Sequence, residues 1–296
     1  MSFTDSPSRL AFPALLLGST VLALGPWMVR LADVGPVAAG FWRLAIALPL
    51  IALLALRVRP RVRPGGILLA ALILGGLFFA ADLAAWHYGI VRTKLANATL
   101  FGNASSFLFA LYGFLLLRVL PSRVQLLALF LAALGAALLL GSSYELSPRH
   151  FEGDLFALLA GLFYTFYLIA VDRARKSLAA LPVLAIATAA AAPPMLFLAM
   201  ALGERVWPDD WTPLVILSLG SQLVGQGLLV FSMGHLRPLV VGLALLTQPV
   251  AAALIGWIVY GERLTASDIA GAAAICAALI LIRLPGEAER LARRRG

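Results

Sequence analysis

The sequence predicts an all-α integral membrane protein with ten transmembrane helices, arranged as two inverted five-helix repeats. Of its 296 residues, 62% are hydrophobic and only 12% are charged, with a mean hydropathy of +0.96. A soluble domain of this length carries about 25% charged residues. Ten apolar runs of about 20 residues follow one another, each long enough to cross a bilayer as a helix. Charged residues are largely confined to the short connectors between these runs.

Glycine and proline mark most of the connectors, which fixes the boundaries of the predicted helices. The spans are predicted at residues 10–31, 36–56, 65–90, 95–117, 123–142, 152–172, 181–203, 212–235, 239–260 and 266–284. This regular spacing leaves no room for a large domain outside the membrane.

The distribution of arginine and lysine predicts the orientation. If the N-terminus is cytoplasmic, 16 of the 23 basic residues lie on the inside, six lie on the outside and Arg43 lies within the membrane. Positive charge favours the cytoplasmic side of membrane proteins. We therefore expect both termini in the cytoplasm, and we interpret the basic segment RVRPRVRP at residues 57–64 as a determinant of topology.

Ten spans divide into two sets of five, and an odd number per half forces the halves into opposite orientations. The predicted units are a first repeat at 10–142, a second repeat at 152–284 and a basic cytoplasmic tail at 285–296. A shift of 145 residues places Asn103 on Gln248 and Arg118 on Arg263.

Several classes of function are excluded by the composition. The net charge of +9 is dispersed through the connectors, so we expect no nucleic-acid partner. Cys276 is the single cysteine, which excludes an intramolecular disulfide. The chain has no nucleotide-binding glycine loop and no metal-ligand spacing, and its histidines are dispersed. We expect neither an enzyme nor a cofactor.

Charged side chains within the membrane are the first candidates for a site, because their burial in lipid is costly. Asp82 and Trp86 lie one turn apart on the third span, with His87 next to them. Asp82 is interpreted either as a ligand for a cation, an amino group or a proton, or as the partner of Arg43 in a structural ion pair. For Arg43 we favour a structural or gating role over contact with the substrate.

Amide side chains form a second group of candidates. Asn103 and Gln248 are predicted near mid-membrane, where an amide can bind a zwitterion or join two helices. Gln222 and Gln226 are four residues apart, so a regular helix would place them on one polar stripe that lines a cavity or packs on a neighbour.

Aromatic side chains and prolines complete the predicted site. Tyr164 belongs to an aromatic cluster on the sixth span, and Trp27 follows Gly25-Pro26 in the first. Pro26 and Pro249 lie inside predicted spans, where they are expected to bend the helix.

The stretch from Ser232 to Thr265 contains a proline-interrupted helix that runs into Gly261-Glu262-Arg263-Leu264-Thr265. This pattern and the intramembrane Arg43 resemble the EamA-type permeases of the drug/metabolite transporter superfamily. In the first half, Arg118-Val119-Leu120-Pro121 stands where a similar G-E-R-L-T-like segment is usual. Within the superfamily the chain resembles YddG-type exporters of aromatic and other amino acids.

The resemblance implies a basket of helices around a central cavity that exports amino acids or related metabolites by alternating access. Under this hypothesis Trp27, Asp82, Trp86, His87, Asn103, Tyr164, Gln222, Gln226 and Gln248 bind the substrate, with Asp82 or His87 coupling transport to protons. A carrier of lipid-linked sugars or nucleotide-like metabolites is the alternative. We expect a monomer in the bacterial inner membrane, whose partners are a small-molecule substrate and the lipid bilayer.

Overall fold

The computed structural model of the chain describes residues 9–58, 64–93, 95–118, 120–141, 148–261 and 263–283. The predicted basic tail at 285–296 and the central part of the basic connector, residues 59–63, lie outside these ranges.

Within the described ranges the chain forms ten helical spans, as predicted. In chain order they are α1 (Ala11–Leu22 and Gly25–Leu31), α2 (Pro36–Arg57), α3 (Gly66–Ile90), α4 (Leu95–Gly102 and Ala104–Leu117), α5 (Arg123–Gly141), α6 (Phe151–Arg175), α7 (Ala180–Ala201), α8 (Thr212–Leu217, the π-helix Ser218–Gly225, and Gln226–Met233), α9 (Pro238–Leu245 and Thr247–Tyr260) and α10 (Ala266–Arg283).

Length and composition make these helices suitable for a bilayer. Seven of the described helices are long and apolar enough to cross a membrane, and three shorter apolar helices in α4, α5 and α10 complete the set. Large apolar side chains such as Ile67, Phe197 and Ile258 are exposed on the outer surface of the bundle. Because a water-facing surface would not carry so many of them, this surface contacts lipid.

The helix pairs that pack together reveal the relation between the two halves. α2 packs on α7, α4 on α9 and α5 on α10, each helix against its counterpart in the other half. The other major contacts occur in symmetry-related pairs. The contact of α3 with α6 corresponds to that of α8 with α1, and the contact of α3 with α7 corresponds to that of α8 with α2. The packing therefore has the twofold pseudo-symmetry of inverted repeats.

Four spans are interrupted, and the interruptions in α4 and α9 fall at equivalent places. Asn103 separates the two segments of α4, and Leu246 separates those of α9. In α9 the cause is Pro249, which has no N–H for the carbonyl of Leu245 and whose ring clashes with that carbonyl. In α1 the second segment begins at Gly25-Pro26, as the sequence predicts.

The helix breaks and helix ends of the two repeats correspond when their residue numbers differ by 143. This value corrects the shift of 145 residues predicted from the sequence. Segments of 14 residues follow both breaks, and each ends at a residue with left-handed backbone, Arg118 (φ 50°) and Gly261 (φ 65°). Capping pairs then open the next helices, Ser122 with Gln125 and Thr265 with Asp268. Asn103 is thus the counterpart of Leu246, because helix ends fix the register more strongly than a few identical residues.

Two faces of the bundle are distinguished below by their residues. The basic face holds the helix ends near Arg57, Arg118, Arg175 and Arg237, and the Glu204 face holds the opposite ends.

On the Glu204 face, the connector between α7 and α8 caps the first turn of α2. The carboxylate of Glu204 accepts hydrogen bonds from the main-chain N–H groups of Val37 (3.3 Å) and Ala38 (2.8 Å). Trp42 Nε1 donates to the carbonyl of Val206 at 2.7 Å. Capping of exposed N–H groups stabilises a helix start, so this connector fixes the position of α2 and of Arg43 upon it.

An exposed ion-pair network completes the same face. Arg205 lies 2.6 Å from Asp209 and 3.8 Å from Asp33. The main-chain N–H of Asp209 donates to the Asp33 carboxylate at 2.7 Å, and this bond is the main reason that the pKa of Asp33 is lowered.

Close backbone approach between α5 and α10 generates a stability prediction. A Cβ atom on Gly271 would lie 2.7 Å from the carbonyl oxygen of Gly135. Replacing Gly271 by leucine is therefore expected to force the helices apart and to lower the free energy of unfolding by about 1–3 kcal/mol. Equilibrium unfolding in mixed SDS micelles measures this change.

Gly66 provides the matched control, because a Cβ atom there meets nothing within 4 Å. Gly66→Leu should leave stability near that of the wild type. Equal losses for the two variants would contradict the close packing of α5 on α10.

Candidate functional site

A cavity lies where the interrupted spans meet the intramembrane polar residues. It has a volume of about 120 Å³, several times what one water molecule needs. Residues of α1, α2, α3, α4, α6, α8 and α9 line it. Eight residues singled out by the sequence are among them: Pro26, Arg43, Asp82, Trp86, Asn103, Tyr164, Gln226 and Gln248.

Asp82 and Arg43 both face the cavity but form no direct ion pair. Among the described residues, no nitrogen of Arg43 lies within 4.0 Å of the Asp82 carboxyl group, and this group accepts no hydrogen bond. The structural ion pair considered as one alternative for Asp82 is therefore not formed. A carboxylate without a protein partner is left for water or a solute in the cavity.

Arg43 is held in place by α8 and α7. Its Nε donates to Gln222 Oε1 at 3.3 Å, and Gln222 Nε2 donates to Thr188 Oγ1 at 3.0 Å. The hydroxyl of Ser218 also donates to the main-chain carbonyl of Arg43 at 2.9 Å. With Nε engaged, the terminal N–H groups of the guanidinium remain for the cavity.

The two glutamines of α8 contact different partners. Gln222 lies within the π-helix, is fully buried, bonds Arg43 and Thr188, and does not line the cavity. Gln226 opens the helical segment that follows, lines the cavity and bonds Tyr164. Of the two roles considered for this pair, Gln226 has the cavity-lining position and Gln222 packs on neighbouring helices, where it supports Arg43.

Aromatic rings form one side of the cavity. Phe79 lies one turn before Asp82 on α3, and its ring lies 5.8 Å from the Arg43 guanidinium carbon. Tyr164 accepts a hydrogen bond from Gln226 Nε2 at 3.2 Å, which fixes its hydroxyl. Trp86 lies beside Gly102 at the end of the first α4 segment. The wall thus combines apolar faces with a few oriented polar atoms, as ligand pockets do.

Polar side chains gather at the helix breaks, where Asn103 and Gln248 line the cavity. Asn103 Nδ2 donates to the carbonyl of Thr99 at 2.7 Å, beside the break in α4. At the break in α9, the Thr247 hydroxyl has one proton to donate and lies 2.7 Å from the carbonyl oxygen of Ala244 and 2.8 Å from the Ser19 hydroxyl. Ser19 in turn donates to the same carbonyl at 3.1 Å, which ties α1 to the break.

Three other predicted residues lie away from the cavity wall. His87 is fully buried against Gly40 of α2, and both of its ring nitrogens lack a hydrogen bond in the described structure. Trp27 packs into a small apolar cluster with Met28 and Leu214. Pro249 is buried next to the break that it causes. His87 and Trp27 face away from the cavity because each follows a lining residue, Trp86 or Pro26, and successive residues of a helix point about 100° apart.

Several lining residues were missed at the sequence level. They are Thr99, Gly102 and Ser105, which line the cavity around Asn103. Helical spacing from Asn103 could have identified Thr99, because residues four apart lie on one face. Gly102 carries no side-chain signal, and only the close approach of Trp86 reveals it.

The described fold is that of a polytopic helical membrane protein with two pseudo-symmetric halves around a polar cavity, an architecture used by secondary transporters. Comparison with family models identifies it further: residues 10–141 and 151–284 each match the EamA-like transporter family. The chain belongs to this family, and it is a membrane transporter of small molecules.

Solved structures support the same fold. One, titled only "Crystal structure of protein", has a TM-score of 0.74 and 21% identity, with 94% of this chain and 98% of that chain covered. No curated protein matches the chain significantly.

The hydrogen-bonded chain behind Arg43 can be tested by mutation. Thr188→Val keeps the side-chain shape but leaves Gln222 Nε2 without its acceptor, which should cost about 1–3 kcal/mol of unfolding free energy. In a Gln222→Leu background the same change should cost much less, because the coupled partner is already gone. A double-mutant cycle of unfolding in SDS micelles measures the difference.

Thr20→Val is the matched control, since Thr20 is exposed and its hydroxyl only bonds the carbonyl of Leu16 in its own helix. It should change stability little in either background. Additive losses for Thr188→Val and Gln222→Leu would exclude the proposed coupling.

Proposed function

We propose that the cavity binds a zwitterionic solute with an apolar side chain, such as an aromatic or large neutral amino acid or a related metabolite, for export by alternating access. The observation that carries this proposal is the pair of opposite charges, Asp82 and Arg43, which face one cavity without pairing with each other. A zwitterion supplies the missing partner of each charge.

The electrostatics of the site support this substrate class. A charged group removed from water is costly unless it is paired and hydrogen-bonded. The ammonium group of a bound amino acid would pair with Asp82, and its carboxylate would accept hydrogen bonds from the free N–H groups of Arg43. The free-energy costs of burying Asp82 and Arg43 as charged groups are then both offset, and the net charge of the occupied cavity is near zero.

Aromatic and amide side chains of the cavity wall would contact the uncharged part of such a ligand. Trp86, Phe79 and Tyr164 offer apolar faces for the substrate side chain. Asn103 and Gln248 lie on the break-bearing spans α4 and α9 and can both donate and accept hydrogen bonds. A nucleotide or a pyrophosphate-linked sugar would bring several negative charges to a site that contains Asp82, so the cavity favours an amino acid over these alternatives.

Contacts on the basic face support alternating access, because they close that end of the bundle. Tyr112 of α4 donates to Asp172 of α6 at 3.1 Å, and Arg175 of α6 donates to the carbonyls of Val230 (2.8 Å) and Phe231 (3.3 Å) in α8. The lining residue Arg43 lies nearer Pro36 than Arg57, toward the Glu204 face. If the basic face is cytoplasmic, as the arginine distribution predicts, this conformation faces outward.

Substrate counterflow in proteoliposomes tests the proposal. The protein should exchange labelled phenylalanine, and unlabelled large neutral amino acids should compete. 3-Phenylpropionate lacks the amino group and should compete at least about tenfold less well, since a charge-assisted hydrogen bond contributes roughly 1.5–3 kcal/mol. Asp82→Asn should abolish this preference for the amine.

Glu152→Gln is the control, because Glu152 lies at an exposed helix start, outside the cavity lining. It should exchange like the wild type. Absence of exchange with every amino acid, in protein that elutes as a folded species, would refute the substrate class.

Proton coupling is tested by imposing a pH gradient on the same vesicles. We expect a gradient to drive uptake or efflux by the wild type and to have no effect on Asp82→Asn, which cannot titrate. His87→Gln should keep the response, since the ring is buried away from the cavity. A response that survives in Asp82→Asn and is lost in His87→Gln would transfer the coupling role to His87.

A further inference from the structure

A second cavity lies on the lipid-facing side of the first repeat, separate from the central one. It is a groove of about 730 Å³ between the second segment of α4 and α5. Its walls include Phe107, Leu111, Phe114, Leu129, Phe130 and Ala133. The groove exists because this segment of α4 packs on α9, whereas α5 packs on α10, so the two consecutive spans diverge.

Among the described residues that line the groove, Arg118 alone is charged, and it lies at the end nearest the basic face. Its side chain is exposed. Arg123, also exposed, opens α5 close by in the chain, after the Ser122–Gln125 capping pair. The groove therefore joins an apolar channel at hydrocarbon depth to positive charge at the depth of the headgroups.

The backbone at Arg118 gives an independent reason to assign a role to its side chain. Among the described residues Arg118 is the only non-glycine with positive φ (50°), a conformation that L-residues adopt at a cost. The equivalent position of the second repeat is Gly261, with φ of 65°. Glycine would fit both positions without strain, so the arginine at 118 is held in a conformation that costs it free energy.

We propose that this groove, named here the α4–α5 groove, is a binding site for one anionic phospholipid. An acyl chain fills the apolar channel, and the phosphate lies against Arg118, with Arg123 adding to the positive potential. Apolar walls alone would accept the chain of any lipid. The charge complementarity at Arg118 selects an anionic headgroup over a zwitterionic one.

Native mass spectrometry of the full chain tests the proposal. The protein is incubated in mild detergent with equal amounts of phosphatidylglycerol and phosphatidylcholine that carry the same acyl chains. We expect one phosphatidylglycerol to be retained about fivefold better than phosphatidylcholine, the ratio expected for one arginine near a membrane surface. Arg118→Gly should reduce that ratio to near one.

Two further variants separate the groove from general surface charge. Ala133→Trp fills the channel from an exposed lining position and should reduce retention of both lipids. Arg57→Gln removes an exposed arginine from the end of α2, outside the groove lining, and should keep the fivefold preference. If Arg57→Gln lowers the preference as much as Arg118→Gly, the site is overturned in favour of diffuse attraction.

Thermal unfolding keeps the test independent of folding yield. Arg118→Gly relieves the left-handed strain, so without added lipid its melting temperature should equal or exceed that of the wild type. Added phosphatidylglycerol should raise the melting temperature of the wild type and leave that of Arg118→Gly unchanged. Equal shifts in both proteins would overturn the proposal, whatever the transported substrate proves to be.

Discussion

The absence of water from the bilayer core is the constraint on which this structure depends. An intramembrane polar group without a protein partner or a shared cavity is costly, because lipid offers no partner. Many of the described polar side chains gather around the cavity between the halves, whereas the ring nitrogens of His87 are buried without a hydrogen bond in the described structure. The hydrogen-bonded series of Thr188, Gln222 and Arg43 is an example of polar groups that find protein partners. The buried amide of Gln222 donates to the Thr188 hydroxyl and accepts from Nε of Arg43, and the terminal N–H groups of Arg43 remain for the cavity.

Pseudo-symmetry organises the bundle, and the two halves depart from it at the cavity and on the lipid-facing surface. Both halves break their fourth span at the same place and end it with the same left-handed cap. The cavity is nevertheless unequal, since α3 brings Asp82 and Trp86 whereas its counterpart α8 brings a π-helix and Gln226. The lipid-facing surface is unequal as well, with Arg118 in one cap and Gly261 in the other. The repeated helices thus give the two halves the same backbone arrangement, and differences at single positions give the cavity and the lipid-facing surface their charge and shape.

Much of the fold could be predicted from the sequence, because hydrophobicity and charge can be read from consecutive residues without knowledge of tertiary contacts. The ten spans, the division into halves and the kink at Gly25-Pro26 follow from apolar run length and from the chemistry of proline. Asp82, Trp86 and Asn103 were identified because polar groups within lipid are costly. Their assignment to one cavity needed no knowledge of which helices touch, only that such groups avoid lipid.

Tertiary structure decided what depends on helix rotation and register. The sequence could not reveal that Gln222 bonds Arg43 and Thr188 while Gln226 bonds Tyr164 at the cavity, since these partners lie on other helices. It could not exclude the Arg43–Asp82 ion pair, nor place His87 behind the cavity wall, because both depend on the rotation of α3 against α2. The sequence by itself determined which residues must avoid lipid; the packing of the two halves determined which of them face the cavity, since a rotation of about 100° separates neighbouring positions on a helix.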